Sequence, residues 1–312
     1  MPSFSVIIPL YNKEENILNT VESVLNQSFK DFEVLIVNDG STDSSLEKVS
    51  SIEDSRIVIL SKTNEGVSKT RNYGVEHATS KYVAFLDGDD IWYPFHLENL
   101  HSLISQFPDH LWFANAYEKK YQKGSTFPMF SPLMKNLNWQ GAVDDFFANS
   151  YVDCLVCSST VCMDNRFFKS LNGFDESITH GEDIDLWIRA ALDAPLIFST
   201  KISATYNLLG MSRSNAISVE NRNLIDLGSY KINEQNNTSL NKYLDLNRYA
   251  LSIQYKQAGF QKEAKQYAQQ IDKSNLNRKQ QFLLGRSTST LNVFFKFQEL
   301  LRSLGIQLTA FK

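Results

Sequence analysis

Cysteine is scarce: three in 312 residues, all within Asp153-Cys-Leu-Val-Cys-Ser-Ser-Thr-Val-Cys. A zinc site built on them would need a fourth ligand, and only Asp153 and Asp164 lie near enough in sequence to offer one. The segment reads as a strand, where cysteine serves as a small apolar side chain. Long hydrophobic runs are also missing. With no stretch of about 18 apolar residues, no membrane-spanning helix is expected. No basic leader or cleavage site precedes the first strand, so the expected protein is soluble and cytoplasmic. A strong charge bias is absent: a net charge of −4 gives no support to a nucleic-acid partner. Two nucleotide signatures are missing as well. No G-x-G-x-x-G follows the first strand, which argues against a dinucleotide-binding Rossmann domain, and no G-x-x-x-x-G-K-[ST] occurs, which removes the P-loop enzymes.

What is present is a core. The chain is 42% hydrophobic, enough for one large or two modest domains. Phe4 to Pro9, Phe32 to Val37, Arg56 to Leu60 and Tyr82 to Leu86 are short apolar runs of the kind that form buried parallel strands. Between them lie amphipathic stretches. Glu14 to Gln27 places Ile17, Val21, Val24 and Leu25 on one face, Asp43 or Ser44 can cap a helix carrying Leu46 and Val49, and Val67 to Ala78 follows the loop Asn64-Glu65-Gly66. Strands alternating with helices at this spacing predict an α/β fold with a doubly wound, mainly parallel sheet flanked by helices.

The fourth strand delivers Asp87-Gly88-Asp89-Asp90. Open α/β sheets place ligands at the carboxyl ends of their strands. Clustered carboxylates there repel one another unless a cation or hydrogen-bond donors compensate. Oxygen ligands with few protein anchors suit Mg²⁺ or Mn²⁺, which share their shell with water and phosphate. The plainer alternative is an acidic turn in which Asp90 caps the following helix, expected over Pro94 to Gln106.

Further on, Leu111 to Tyr121 and Cys154 to Met163 read as strands, and residues 122–141, with Gly124, Pro128, Pro132 and Gly141, as loop that could border an acceptor pocket. Asp164 to Leu171 reads as a short helix closed by Asn172-Gly173. Gly181-Glu182-Asp183-Ile184-Asp185 opens a helix with three acids in its first turn, a placement that the helix dipole favours with or without catalysis.

Ser5-Val-Ile-Ile-Pro-Leu-Tyr-Asn, Val37-Asn-Asp-Gly-Ser-Thr-Asp, Asn64-Glu-Gly, Thr70-Arg-Asn-Tyr-Gly, Phe85-Leu-Asp-Gly-Asp-Asp and Gly181-Glu-Asp-Ile-Asp-Leu-Trp occur in that order. Together, over about residues 3 to 205, they resemble the family 2 glycosyltransferases, inverting enzymes of the GT-A fold. Thr70 stands where that family more often has alanine. The resemblance implies transfer of a sugar from a nucleotide-diphosphate sugar, with a UDP-sugar as the expected donor, to a hydroxyl acceptor such as a saccharide or lipid-linked saccharide in cell-surface glycan synthesis. It assigns Asp39, Asp87, Arg71 and Asn64 to the donor nucleotide, with Pro9 and Tyr11 lining its base end. It assigns Asp87 and Asp89 to a divalent Mn²⁺ or Mg²⁺, with Asp90 in support, and Asp183 to the general base, oriented by Glu182. Missing Q-x-x-R-W and membrane helices make the chain more similar to the non-processive members. The alternatives are a sugar nucleotidyltransferase, which would normally show a glycine-rich loop where Pro9-Leu10-Tyr11-Asn12 stands, and a non-catalytic sugar-nucleotide-binding protein.

From about Met211 strand signals thin out and helical periodicity takes over. The expected division is a catalytic domain over 1–210 and a helical region over 211–312. Tyr243 to Ala258 and Gln261 to Ile271 read as a hairpin of helices turned at Gly259, faintly like one tetratricopeptide unit. Val293, Phe294, Phe297, Leu300, Leu301 and Leu304 form a further helical stripe. Residues 278–312 carry six cations against one acid, +5, which leaves −9 for the rest. Such a stripe either docks on the hairpin, the favoured expectation, or lies in a membrane interface as a peripheral contact.

Overall fold

The computed structural model describes residues 2–121, 126–208, 219–303, 306 and 309–311. Gly124, Met211 and Leu304 lie outside them. Six strands run in one direction: β1 (Phe4–Leu10), β2 (Phe32–Asp39), β3 (Ile57–Lys62), β4 (Tyr82–Phe85), β6 (Trp112–Lys120) and β10 (Ile197–Asn207). Against them run β5 (Ile91–Trp92), β7 (Thr126–Pro128), β8 (Gln140–Ala142) and β9 (Val161–Asp164). The order across the sheet is β3-β2-β1-β4-β9-β6-β10-β5, with β7 on β6 and β8 on β10. β1, β2 and β4 are continuous apolar runs because both faces are covered, and Phe4, Val6, Ile7, Ile8, Val83, Ala84 and Phe85 are fully buried.

Helices α1 (Ile17–Leu25), α2 (Ser45–Ser50) and α3 (Val67–His77) connect the first four strands. α1 is shorter than its apolar period suggests, because Glu14 to Asn16 form a turn before it. α4 (His96–Gln106) follows β5, and α5 (Phe146–Asn149), α6 (Asn165–Ser170) and α7 (Glu182–Asp193) lie between β8 and β10. Two expected elements differ. Ile91-Trp92 pairs with Ala204 and Thr205 of β10 as a strand, so Asp90 caps no helix and α4 begins two residues after Pro94. Cys154 to Cys157 is irregular and Ser158–Thr160 a 3-10 turn, which leaves only Val161–Asp164 to pair with β4 and β6.

Beyond the sheet lie α8 (Lys231–Asn236), α9 (Thr238–Gln257), α10 (Gln261–Gln269), α11 (Arg278–Leu284) and α12 (Thr288–Ser303). The first half of α9 joins the main core: Leu240, Tyr243 and Leu244 are buried with Phe147 and the sheet residues. Its second half builds a smaller cluster in which Leu246, Tyr249 and Ile253 pack with Ile271, Leu276 and Leu291. Four members of the α12 stripe do not dock on the α9–α10 hairpin, while Leu301 is half-buried. Leu291 faces inward at 0% exposure, while Val293, Phe294, Phe297 and Leu300 are exposed. Among the described residues, no helix is long and apolar enough to cross a membrane.

Because six strands share a direction, Leu10, Asp39, Phe85, Lys120 and Asn207 all end at one edge of the sheet. That edge carries the candidate site.

Candidate active site

The β4 tip is held from several sides. The Leu86 N–H donates to Ile7 O at 3.0 Å, which carries the β1–β4 pairing to the acidic turn, and the Asp90 N–H closes that turn on Asp87 O at 3.0 Å. Asp90 is fully buried. Its carboxylate accepts from the Asn207 N–H at 2.7 Å and from the Ser159 hydroxyl at 2.5 Å, while that hydroxyl accepts from the Asp87 N–H at 3.1 Å. Burial, then the charges of Asp87 and Asp89, push the Asp90 carboxyl well above its ordinary range. Asp90 therefore ties β4, β10 and the 3-10 turn together beneath the two acids ahead of it.

Asp87 and Asp89 point to different cations. The Arg71 Nη2 donates to Asp87 Oδ1 at 2.6 Å, and the Lys13 ammonium pairs with Asp89. Burial raises the Asp89 carboxyl, Lys13 pulls it down, and repulsion from Asp87 adds to the rise. Lys13 was not singled out in the sequence, although its place in the first strand-end loop marks it as a cation near any anionic ligand.

Arg71 sits on α3, and α3 lies close to the sheet because Gly74 lacks a side chain. A Cβ at Gly74 would stand 2.5 Å from Ile7 Cγ2. One turn earlier, the Arg71 guanidinium is buried over the Phe174 ring at 5.0 Å and sends Nη1 toward Glu182 Oε1 at 3.4 Å. Burial would lower the Arg71 pKa, but the Asp87 and Glu182 carboxylates outweigh it and hold the charge in place. One guanidinium thus joins the strand-end acids to the start of α7.

Gly181 caps the start of helix α7, and its φ of +85° is a left-handed conformation that favours glycine. Glu182 is pushed up to about 7 by burial and by the neighbouring Asp183, against the pull of Arg71. The Asp183 carboxylate accepts from the Ile184 N–H at 2.8 Å. Asp185, the third acid of this turn, is structural: it accepts from Arg189 at 2.6 Å and from the Tyr230 hydroxyl at 2.6 Å.

The second strand end is organised differently. Asp39 is buried, and its two oxygens accept from the Lys62 ammonium at 2.7 Å, the Glu65 N–H at 2.8 Å and the Gly66 N–H at 3.0 Å. It sets the loop that contains Asn64, which is exposed, and the entry to α3. The β1 loop is tied alongside: Asn12 exchanges hydrogen bonds with Thr42, at 2.8 Å and 3.1 Å. Pro9 and Tyr11 are half-buried at this end of β1. Asp39 and Asn64 therefore share one flank with Pro9 and Tyr11, while Asp87, Arg71, Glu182 and Asp183 share the centre.

Three further residues border that centre without a signal in the sequence. Ser159 is one. Trp92 donates from Nε1 to Ser159 O at 2.6 Å and fixes the same turn. Tyr206 on β10 is the third, its phenol raised by burial and then by Asp90, Asp87 and Asp183. Among the described residues, no three His, Cys, Asp or Glu side chains converge as a ready-made metal ligand set.

The family model described as glycosyl transferase family 2 matches residues 5–157. The chain is similar to WfgD of Escherichia coli, named as a UDP-Glc:alpha-D-GlcNAc-diphosphoundecaprenol beta-1,3-glucosyltransferase. The two are 32% identical over 192 residues, 61% of this chain and 70% of WfgD. It is also similar to the amylovoran biosynthesis glycosyltransferase AmsB of Erwinia amylovora, 34% identical over 60% of this chain and 64% of AmsB. Against three rickettsial glycosyltransferases, by contrast, the chain spans only 26% to 30% of their length. The structure of S. aureus TarS 1–349 in complex with UDP-GlcNAc matches with a TM-score of 0.60 at 19% identity, over 87% of this chain and 91% of that one. This likeness shows the shared GT-A fold. Sequence and fold agree, and the chain belongs to glycosyl transferase family 2.

Proposed function

We propose that this protein transfers a sugar from a UDP-sugar, with inversion, to a hydroxyl of a saccharide or lipid-linked saccharide in cell-surface polysaccharide synthesis. Residues 1–210 form the catalytic unit in this reading, and 211–312 a helical region packed on it. The observation that carries it is the Arg71 bridge from Asp87 to Glu182, because it joins the acids of the β4 tip to the helix that bears Asp183. The activities for which WfgD and AmsB are named, and the UDP-GlcNAc complex of TarS, support the donor class and the setting.

The donor's nucleoside end lies along Pro9, Tyr11, Asn64 and Asp39. Asp39 stands on that flank, held by Lys62, Glu65 and Gly66, and offers its carboxylate as an acceptor toward the ribose. Asp87 and Asp89 would hold Mn²⁺ or Mg²⁺. Their oxygens are the hard donors these ions take, and two carboxylates leave the other positions to water and the donor's phosphates, so the residues fit the ion. When bound, the ion neutralises charge that builds on the leaving diphosphate. Lys13 pairs with Asp89 and Arg71 with Asp87, and the buried Arg71 charge faces the donor side. Asp183 accepts the proton of the attacking hydroxyl. Glu182, held by Arg71, orients the start of α7 so that Asp183 meets that hydroxyl.

Thermal unfolding with a panel of nucleotide sugars and Mn²⁺ tests the reading. A UDP-sugar should raise the midpoint only with the metal, and Asp89→Ala should abolish that rise while leaving the unliganded midpoint nearly unchanged. Undiminished stabilisation of Asp89→Ala would remove Asp89 from the metal site.

A further inference from the structure

Helix α12 turns an apolar face to solvent. Val293, Phe297 and Leu300 recur at four- and three-residue spacing, the period that stacks side chains on one side of a helix, and Phe294 flanks them. Their exposures are 69%, 55%, 57% and 45%, whereas Leu291 on the opposite side is fully buried against the α9 cluster. The helix is therefore anchored by one face and leaves the other uncovered. The patch continues onto α11: the Phe282 and Phe294 rings meet edge to face at 6.2 Å, and the Arg286 guanidinium lies 4.3 Å over Phe282.

Cations surround this patch. Lys296 is exposed beside the stripe, Arg286 stands at its start, and Glu299 is the only acid between Arg278 and Lys312. The helix also has a fixed place relative to the site. Its Arg302 stacks on Tyr121 at 4.5 Å, directly after the carboxyl end of β6. There the Leu208 N–H donates to Lys120 O at 2.9 Å, and the preceding Asn207 N–H holds Asp90. One end of the apolar stripe thus lies at the sheet edge that carries the acids.

We propose that this face of α12 is a docking surface for an anionic lipid bilayer. Phe294, Phe297, Val293 and Leu300 sink below the headgroups while Lys296 and Arg286 pair with headgroup phosphates, the division of labour of an in-plane amphipathic helix. Charge selects this occupant over a second copy of the chain. The common two-fold dimer sets the same patch against itself and would bring two +5 segments together, whereas an anionic surface neutralises each. The docked helix orients the β6 and β10 strand ends toward the membrane, where a lipid-linked acceptor would present its sugar. Only that last step rests on the proposed function.

Co-sedimentation with vesicles of phosphatidylcholine and phosphatidylglycerol in equal parts tests it. The protein should pellet at low salt, and stay in the supernatant with phosphatidylcholine alone or at high salt. Val293→Glu/Phe297→Glu should abolish pelleting, and Lys296→Gln should weaken it by about fivefold, the effect of one cation near such a surface. Both variants change exposed positions, so their unfolding midpoints should match the parent. Parent protein that never pellets, or a double variant that pellets undiminished, overturns the proposal. So does sedimentation velocity without lipid that shows a dimer dissolved by the same double substitution, since the face then belongs to a second copy. Stabilisation by UDP-sugar and Mn²⁺, measured on the same samples, separates failure of this surface from failure of the donor site.

Discussion

Arg71 and Asp87 meet at 2.6 Å, one from a helix and one from a strand tip, with the guanidinium almost wholly buried. A buried charge of this kind is destabilising unless it is paired, and removing one partner of such a pair costs about 3–5 kcal/mol. Arg71 also serves Glu182, so a single point charge cannot replace its fork. Arg71→Lys should therefore fold and retain donor stabilisation but lose on the order of 10²-fold in kcat/KM, the scale of a misplaced reactive group. Arg71→Met should lower stability by about 3–5 kcal/mol in denaturant titration. If Arg71→Lys transfers sugar at the parent rate, the bridge does not position α7.

Asp183 has a different expected signature. Asp183→Asn keeps shape and hydrogen bonding but cannot take a proton, so UDP-sugar stabilisation should persist while transfer falls by about 10²- to 10⁴-fold. The comparison requires an acceptor on which the parent protein turns over, and a loss smaller than tenfold would make another residue the base.

Ser159 links the backbone of Asp87 to the carboxylate of Asp90 through one hydroxyl. Ser159→Ala leaves the Asp87 N–H without this acceptor and removes one of two donors to a buried carboxylate. Leaving buried polar groups unpaired costs about 1–3 kcal/mol. The expected result is a loss of that size in stability together with weaker metal-dependent donor binding, because the turn that presents Asp87 and Asp89 loosens. Unchanged stability would mean that the hydroxyl is dispensable to the turn.

The sequence made the strand ends legible because apolar runs stop abruptly at turn residues, and ordered motifs singled out Asp39, Arg71, Asp87 and Glu182. It could not show partners that lie far apart in the chain. Lys13 reaches Asp89 across 76 positions, and Asn207 reaches Asp90 across 117. Neither separation has a local pattern. The strand at Ile91-Trp92 is hidden for a related reason: Pro94 marks the approach of a helix, yet pairing with β10, more than a hundred positions away, decides the two residues before Tyr93. Periodicity revealed the apolar stripe of α12 but not its direction, because a stripe reads the same whether it meets a neighbour or solvent. Leu291 and Phe295, both outside the stripe, anchor the helix.

The pH dependence of stability should be visible at His96. Its ring is fully buried and stacked on Trp92, with centroids 4.1 Å apart. The polar groups that meet its Nδ1 are neutral: the Ser203 hydroxyl at 2.8 Å and the Asn115 amide at 3.5 Å. Burial lowers the His96 pKa from its ordinary 6.5 to about 3. Between those values the unfolded chain binds a proton that the folded chain refuses, so stability falls as pH falls. The contribution is complete above pH 6.5 and is lost progressively toward pH 3. At about 1.4 kcal/mol per unit, the loss between pH 6.5 and 4 is roughly 3 kcal/mol. His96→Gln does not titrate, so its stability curve should be flatter than the parent's by that amount over this window, even if the variant starts lower at pH 7. Urea titrations at half-unit intervals give both curves, and parallel curves would show that the imidazole is not the group that takes up the proton.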